Sequence, residues 1–191
     1  MRAADEAQLP AIAEIGDKTQ LLSLFLAARF RAKGAIVAGI LLATLLNHAA
    51  SAWLGVWVAQ FIPQGWHNVL LGGSFIAVAL WLLIPDKDDS EDNSMLRYGA
   101  FAASCMLFFL AEIGDKTQIA TVILAASFEQ AVWWVIVGTT VGMLAANVPV
   151  VYAGSWLMQK ISLKWARWSA CTLFIVLGIY IICSDQLAAL S

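Results

Sequence analysis

Polar residues in this chain fall in short clusters, and long apolar stretches separate them. Six stretches meet or approach the about 20 residues that a helix needs to cross a hydrocarbon layer of about 30 Å. They are residues 9–28, 35–62, 67–84, 98–126, 131–158 and 166–184. Each is bounded by a break of suitable chemistry. Arg29-Phe30-Arg31-Ala32-Lys33-Gly34 follows the first and Pro63-Gln64-Gly65 the second. Pro85 and an acidic loop stop the third, a short link at Glu129 follows the fourth, and a basic link from Lys160 to Arg167 follows the fifth. The pattern predicts an all-α membrane protein of six transmembrane helices. Several stretches exceed 25 residues, which permits tilt or kinking. Pro149 is placed to kink the fifth.

Composition agrees with the pattern. Of 191 residues, 61% are hydrophobic and 13% charged, about half the charged fraction of an ordinary soluble domain, and mean hydropathy is +0.79. A formal net charge of -2 then says little about partners; the lipid bilayer is the expected surrounding and no nucleic acid is implied. Cys105, Cys171 and Cys183 lie in apolar stretches without paired spacing, as small core residues do. Leu9 to Ala13 is too short for the apolar region of a secretory signal and runs into Glu14.

The basic residues set an orientation. Lys18 and Lys116 aside, the links after the first, third and fifth spans hold Arg29, Arg31, Lys33, Lys87, Arg97, Lys160, Lys164 and Arg167, against Arg2 alone on the other side. The excess of positive charge on cytoplasmic loops places both termini outside. Tryptophans such as Trp53, Trp57, Trp133, Trp134, Trp165 and Trp168 gather toward span ends, where an interfacial belt would hold them.

One heptapeptide is written twice: Glu14-Ile15-Gly16-Asp17-Lys18-Thr19-Gln20 and Glu112-Ile113-Gly114-Asp115-Lys116-Thr117-Gln118. Leu26-Ala27-Ala28 also matches Leu124-Ala125-Ala126, and with one residue inserted Gly39 and Gly55 match Gly138 and Gly154. Three spans per copy is an odd number, so the copies must lie upside down relative to each other. The expected organisation is a three-helix repeat over 1–84, an acidic cytoplasmic linker over 85–97 and a second, inverted three-helix repeat over 98–191. Secondary transporters commonly place their site at the midplane where such repeats meet.

Each heptapeptide puts two carboxylates and a lysine inside an apolar span, at roughly 3 kcal/mol for each ionised group near a helix centre. A solvated Glu14 to Lys18 pair is the ordinary reading on a soluble helix, but an apolar span with a verbatim repeat argues for function. On a continuous helix Glu14 and Asp17 are about 60° apart and Gln20 extends the same row. With Glu112, Asp115 and Gln118 from the second copy, four carboxylates and two amide carbonyls become available. Hard oxygen donors suit Mg²⁺, Ca²⁺ or Mn²⁺ and do not suit copper or zinc. Thr19 and Thr117 fall on another side of the helix, where a hydroxyl can bond a backbone carbonyl or serve as a ligand. Gly16 and Gly114 can serve close helix packing, the favoured expectation, or a local break that exposes carbonyls.

Lys18 and Lys116 are expected to neutralise a carboxylate on their own helix. Four carboxylates less two lysines leave two negative charges, which one divalent cation or two protons would cancel. Crowded carboxylates can share protons near neutral pH, which suggests cation/proton exchange, with Na⁺ as the next coupling ion. Asn47, His48 and Asn147 occupy nearly equivalent repeat positions and either bond a neighbouring helix or line the ion path. The loop Asp86-Lys87-Asp88-Asp89-Ser90-Glu91-Asp92 reads as a solvated linker that can also gather cytosolic cations.

The doubled Glu-x-Gly-Asp-Lys-Thr motif, six spans, inverted repeat and acidic link resemble the Gdt-type family of cation transporters. The resemblance covers nearly the whole chain, and Gly138 to Met143 leading to Asn147-Val148-Pro149 is similar to that family's fifth span. It implies a secondary transporter rather than an enzyme, with no prosthetic group. The implied activity is export of Mn²⁺ across a bacterial inner membrane, or Ca²⁺/H⁺ antiport as in eukaryotic relatives. It also implies that Glu14, Asp17, Glu112 and Asp115 hold the cation, supported by Gln20, Gln118, Lys18, Lys116, Thr19, Thr117 and Asn147. In one departure, only Leu9 to Ala13 are apolar before Glu14, whereas 98–111 precede Glu112. This reads as a trimmed start or as a variant with Glu14 nearer the outer surface. An alternative of another class is a membrane enzyme hydrolysing a lipid pyrophosphate with paired carboxylates. Against it, no Arg lies deep in any span to clamp phosphate.

Overall fold

The structure, a computed structural model, describes residues 18–84, 93–154 and 163–188. Among them all regular structure is helical: α1 (Lys18–Arg29), α2 (Lys33–Ala59), α3 (His67–Leu82), α4 (Gly99–Glu112), α5 (Lys116–Ser127), α6 (Val132–Ala153) and α7 (Leu163–Ala188). Short 3-10 turns at Gln64–Trp66, Asn93–Tyr98 and Glu129–Ala131 lead into α3, α4 and α6. Three helical stretches are long and apolar enough to cross a membrane: Lys33–Ala59, Met95–Glu112 and Glu129–Ala153. His67–Leu82 and Trp168–Cys183 are shorter apolar helices.

The expected single helix over 98–126 is instead two. α4 ends at Glu112 and α5 begins at Lys116, because Gly114 adopts φ +76, a left-handed conformation that an α-helix does not contain. α2, α3 and α7 fall close to their expected positions, and Pro149 lies inside α6. Residues 9–17 of the first expected span and the acidic run from Asp86 to Asp92 lie outside the described residues.

The reason the helices suit lipid is visible on α2. Its exposed side carries Leu41, Leu42, Leu45, Leu46, Trp53 and Leu54, while Thr44, Asn47, His48 and Ser51 are buried. A water-soluble helix would place these groups the other way round. Apolar side chains lose nothing by facing lipid tails, whereas hydroxyl, amide and imidazole groups must find partners inside the protein.

The chain divides into two compact units. One takes the described residues of Met1–Thr44, Pro85–Glu112 and Val141–Lys164. Its core joins Leu22 and Leu26 of α1, Ile36 and Ile40 of α2, Phe108 of α4 and Val151 of α6. Here α2 approaches α4 at Gly39, where a Cβ would stand 2.6 Å from the Phe101 carbonyl oxygen. The other unit takes the described residues of Leu45–Ile84, Ile113–Thr140 and Trp165–Ser191. Its clusters join Ala59, Leu71, Phe75, Ala126 and Ile181, and separately Ala52, Ala125 and Ile136. Gly72 of α3 and Gly178 of α7 meet reciprocally there, each where a Cβ would press on the other's carbonyl oxygen at 2.5 and 2.7 Å. Small residues at such crossings let backbones touch, which is how helices gain contact when lipid supplies no hydrophobic driving force.

Candidate functional site

The second heptapeptide forms the junction between α4 and α5. Glu112 is the last residue of α4 and only 2% exposed. The Thr44 hydroxyl of α2 donates to its Oε1 over 2.7 Å, a bond buried on both sides. A carboxyl group at that depth in an apolar helix needs such donors. Thr44 was not among the expected site residues; the signal was a lone hydroxyl amid Ile40, Leu41, Leu42, Leu45 and Leu46.

Gly114 turns the chain, and among the described residues nothing stands within 4 Å of where its Cβ would be. Close packing, the favoured expectation for this glycine, is therefore replaced by the local break. Asp115 follows as the N-cap of α5, with extended backbone (φ -73, ψ 158). Its carbonyl oxygen accepts from the N–H groups of Gln118 and Ile119 at 3.0 and 3.2 Å, starting the helix, while its carboxylate makes no capping bond. The Gln118 side chain reaches back, its Oε1 accepting the Gly114 N–H at 2.6 Å. The expected row of Glu112, Asp115 and Gln118 along one continuous helix is thus corrected: a helix end, a turn and a helix start hold these residues. The sequence does carry the signal, since a Gly followed by Asp-x-x-Gln is the pattern of a helix stop and a capped restart.

Asp115 and Lys116 are both buried. Lys116 Nζ donates to the Ile84 carbonyl, just past the end of α3, and lies 5.9 Å from the centroid of the Trp81 ring. The expectation for Lys116 named a carboxylate of its own helix; this carbonyl and indole ring are further partners. Both suit a buried ammonium, the first as an acceptor and the second through its negative face. The Thr117 carbonyl accepts from Thr121 Oγ1 at 2.8 Å, and the Thr117 side chain is half-buried.

Of the first heptapeptide, Glu14, Gly16 and Asp17 lie outside the described residues. Lys18 and Gln20 are half-buried at the start of α1, and Thr19 is buried. Among the described residues no three His, Cys, Asp or Glu side chains come together. Asn147 of α6 is fully buried, and its amide is engaged at both ends. Oδ1 accepts from Ser23 of α1 at 2.9 Å, and Nδ2 donates to the Met143 carbonyl at 3.0 Å and lies 3.1 Å from its sulfur. Asn147 therefore fastens α6 to α1, the helix-bonding role of the two weighed for it.

Comparison with known proteins adds identity to this geometry. The chain matches the sequence model of the family described as "Divalent cation/proton antiporter GDT1" over residues 7–90 and 100–189. It is 53% identical over 169 residues to a Vibrio cholerae protein named "Putative manganese exporter", covering 88% of this chain and 84% of that one. A GDT1-like protein of Synechocystis is 28% identical over 177 residues, covering 80% of this chain and 82% of its own length. GDT1-like protein 5 of Oryza sativa subsp. japonica is 28% identical over 208 residues, with 88% of each chain covered. No solved structure matches.

Proposed function

The chain belongs to the GDT1 family of divalent cation/proton antiporters, and from that premise we propose that it exports Mn²⁺ across a bacterial inner membrane by alternating access, in exchange for protons. Membership makes it a transporter and sets aside the lipid pyrophosphate hydrolase. The reading of manganese rests on the name of the Vibrio relative at 53% identity and on the oxygen-rich motifs. Ca²⁺/H⁺ antiport within the same family is the second cargo, and Na⁺ the second coupling ion.

The single observation that carries the site is Glu112, an acid at a helix end, 2% exposed and bonded by Thr44. An ionisable group so placed in an apolar bundle is retained for what it binds. Glu112 and Asp115, with Glu14 and Asp17, are the proposed cation ligands. Lys18 and Lys116 reduce the net charge of the cluster, and Gln20, Gln118, Thr19, Thr117 and Asn147 support it. The interruption at Gly114 favours this reading, since broken helices at ion sites present carbonyl oxygens and helix termini to the ion. The family match falls in two stretches, 7–90 and 100–189, which supports two inverted three-helix repeats over 1–84 and 98–191 joined by a linker at 85–97. Six spans with both termini outside complete the arrangement.

The test is ion flux in proteoliposomes. An imposed pH gradient is expected to drive Mn²⁺ flux in the native protein more strongly than Ca²⁺ or Mg²⁺ flux. Glu112→Gln, folded as judged by gel filtration and circular dichroism, is expected to lose it. Unchanged flux in the variant removes Glu112 from the site, and Mn²⁺ movement indifferent to pH but dependent on Na⁺ replaces the coupling ion.

A further inference from the structure

The buried face of α2 changes chemistry along its length. Ile36, Ile40 and Ala43 come first, then Thr44, Asn47, His48 and Ser51, then Ala52 and Ala59. Within the polar stretch Thr44 bonds Glu112, and Ser51 Oγ bonds the Asn47 carbonyl at 2.7 Å. His48 is the exception. It is 1% exposed, and among the described residues neither Nδ1 nor Nε2 has a hydrogen-bond partner. A neutral imidazole brings one N–H donor and one lone pair, and burying both unmatched opposes folding unless the ring is kept for another purpose.

A second unmatched group lies on α6. The Thr140 hydroxyl is buried and likewise unbonded among the described residues. α2 and α6 run antiparallel: Lys33 at the start of α2 bonds the carbonyl of Tyr152 near the end of α6, and Ala52 further along α2 shares a cluster with Ile136 early in α6. One turn back from Ala52 is His48, and one turn on from Ile136 is Thr140. The antiparallel register therefore brings the ring and the hydroxyl to one level. Ionisable groups around them are few. α2 itself has only Lys33 besides His48, α3 has His67 at its start, α5 has the buried Asp115 and Lys116 at its start, α6 has none from Val132 to Thr140, and α7 has Lys164 and Arg167 near its start and Asp185 near its end. Glu112 of α4 is bonded by Thr44, one turn before His48 on α2.

We propose that His48 is a proton-binding site of the exchange, with the Thr140 hydroxyl as hydrogen-bond partner of the protonated ring. The proposal rests on the antiport reading above. The unshared pair of the imidazole takes one proton from the aqueous side, forming a second N–H bond and a singly charged imidazolium. The Thr140 oxygen accepts from that N–H. Entry of a divalent cation at the carboxylates opposes the imidazolium charge, and the proton leaves to the opposite side, restoring the neutral ring. His48 carries one proton per cycle and the carboxylates carry the remainder. A neutral ring with both nitrogens unbonded is poised for this, since no existing bond must break before the proton arrives.

The test separates proton-coupled from proton-independent transport in proteoliposomes. His48→Gln keeps a polar side chain that cannot be protonated. Its pH-driven Mn²⁺ flux is expected to fall at least about tenfold and to become less steep in pH, with one proton fewer exchanged per Mn²⁺. Mn²⁺/Mn²⁺ counterflow at equal pH, which needs no net proton movement, is expected to stay within about twofold of native. Unchanged pH-driven flux overturns the proposal. Loss of both activities in a folded variant also overturns it, by placing His48 in the cation site or the scaffold. Should His48→Gln not fold, Thr140→Val decides: it is expected to shift the pH profile of flux toward acid with the maximal rate kept, and an unshifted profile overturns the assignment. Failure of the antiport reading is distinguishable, because the native protein would then show no pH-driven flux at all.

Discussion

His48 of α2 and Asn147 of α6 invite comparison, because they stand at corresponding places in the two halves. Gly39 and Gly138 are 138 - 39 = 99 residues apart, Gly55 and Gly154 are 154 - 55 = 99, and so are His48 and Asn147 at 147 - 48 = 99. Both are buried, at 1% and 0% exposure, in helices long and apolar enough to cross a membrane. Asn147 is held by Ser23 and by the backbone of Met143, whereas among the described residues the ring of His48 has no hydrogen-bond partner. The difference teaches how to sort polar groups in an apolar bundle. One whose donors and acceptors are engaged is explained by helix association; one left open is free to take a passing partner. Asn cannot change charge and His can, so the two positions diverge in the property that matters to exchange.

Five variants would break or sharpen this contrast. The largest effect is expected at Glu112, the buried acid bonded by Thr44: Glu112→Gln should lower Mn²⁺ flux at least about a hundredfold, about 2.7 kcal/mol by the conversion of rate to free energy. Next is Asn147→Leu, which strands the Ser23 hydroxyl in an apolar interior and should cost about 2 kcal/mol of stability, read from thermal unfolding in detergent. His48→Leu should by contrast unfold no lower than native, because no hydrogen bond is lost; a loss comparable to that of Asn147→Leu would erase the distinction. His48→Asn, which makes the α2 position like its α6 counterpart, should reduce pH-driven flux about tenfold, about 1.4 kcal/mol. A smaller loss than at Asn147 is expected from Gly114→Ala, where φ +76 burdens a side chain by about 1 kcal/mol. That loss should appear in stability with the bond from the residue 114 N–H to Gln118 Oε1 retained.

The helix starts and stops were largely legible from the alternation of apolar runs with Pro, Gly and basic clusters. The fourth span was misjudged for an instructive reason. Hydropathy averages over a window, and Ile113-Gly114 between two apolar runs does not lower the average enough to show a break. The capping letters Asp115 and Gln118 did announce it, but the same letters also read as a row of cation ligands, and a linear pattern does not choose between them. Thr44 and Ser23 were missed because a hydroxyl in an apolar run is commonplace, and its worth depends on what lies opposite.

The amino-acid order by itself determined that the chain is helical and apolar, that two heptapeptides carry acids into that apolar setting, and which family it resembles. These follow from local properties: hydropathy, helix length and the cost of charge away from water. Only the tertiary structure decided that Glu112 closes one helix while Asp115 opens the next, that Asn147 is occupied, and that His48 is not. Hydrogen bonds between helices join residues 68 positions apart, as Thr44 and Glu112 are, or 124 apart, as Ser23 and Asn147 are. Partnership over such separations is set by packing, and packing is what a linear pattern does not contain.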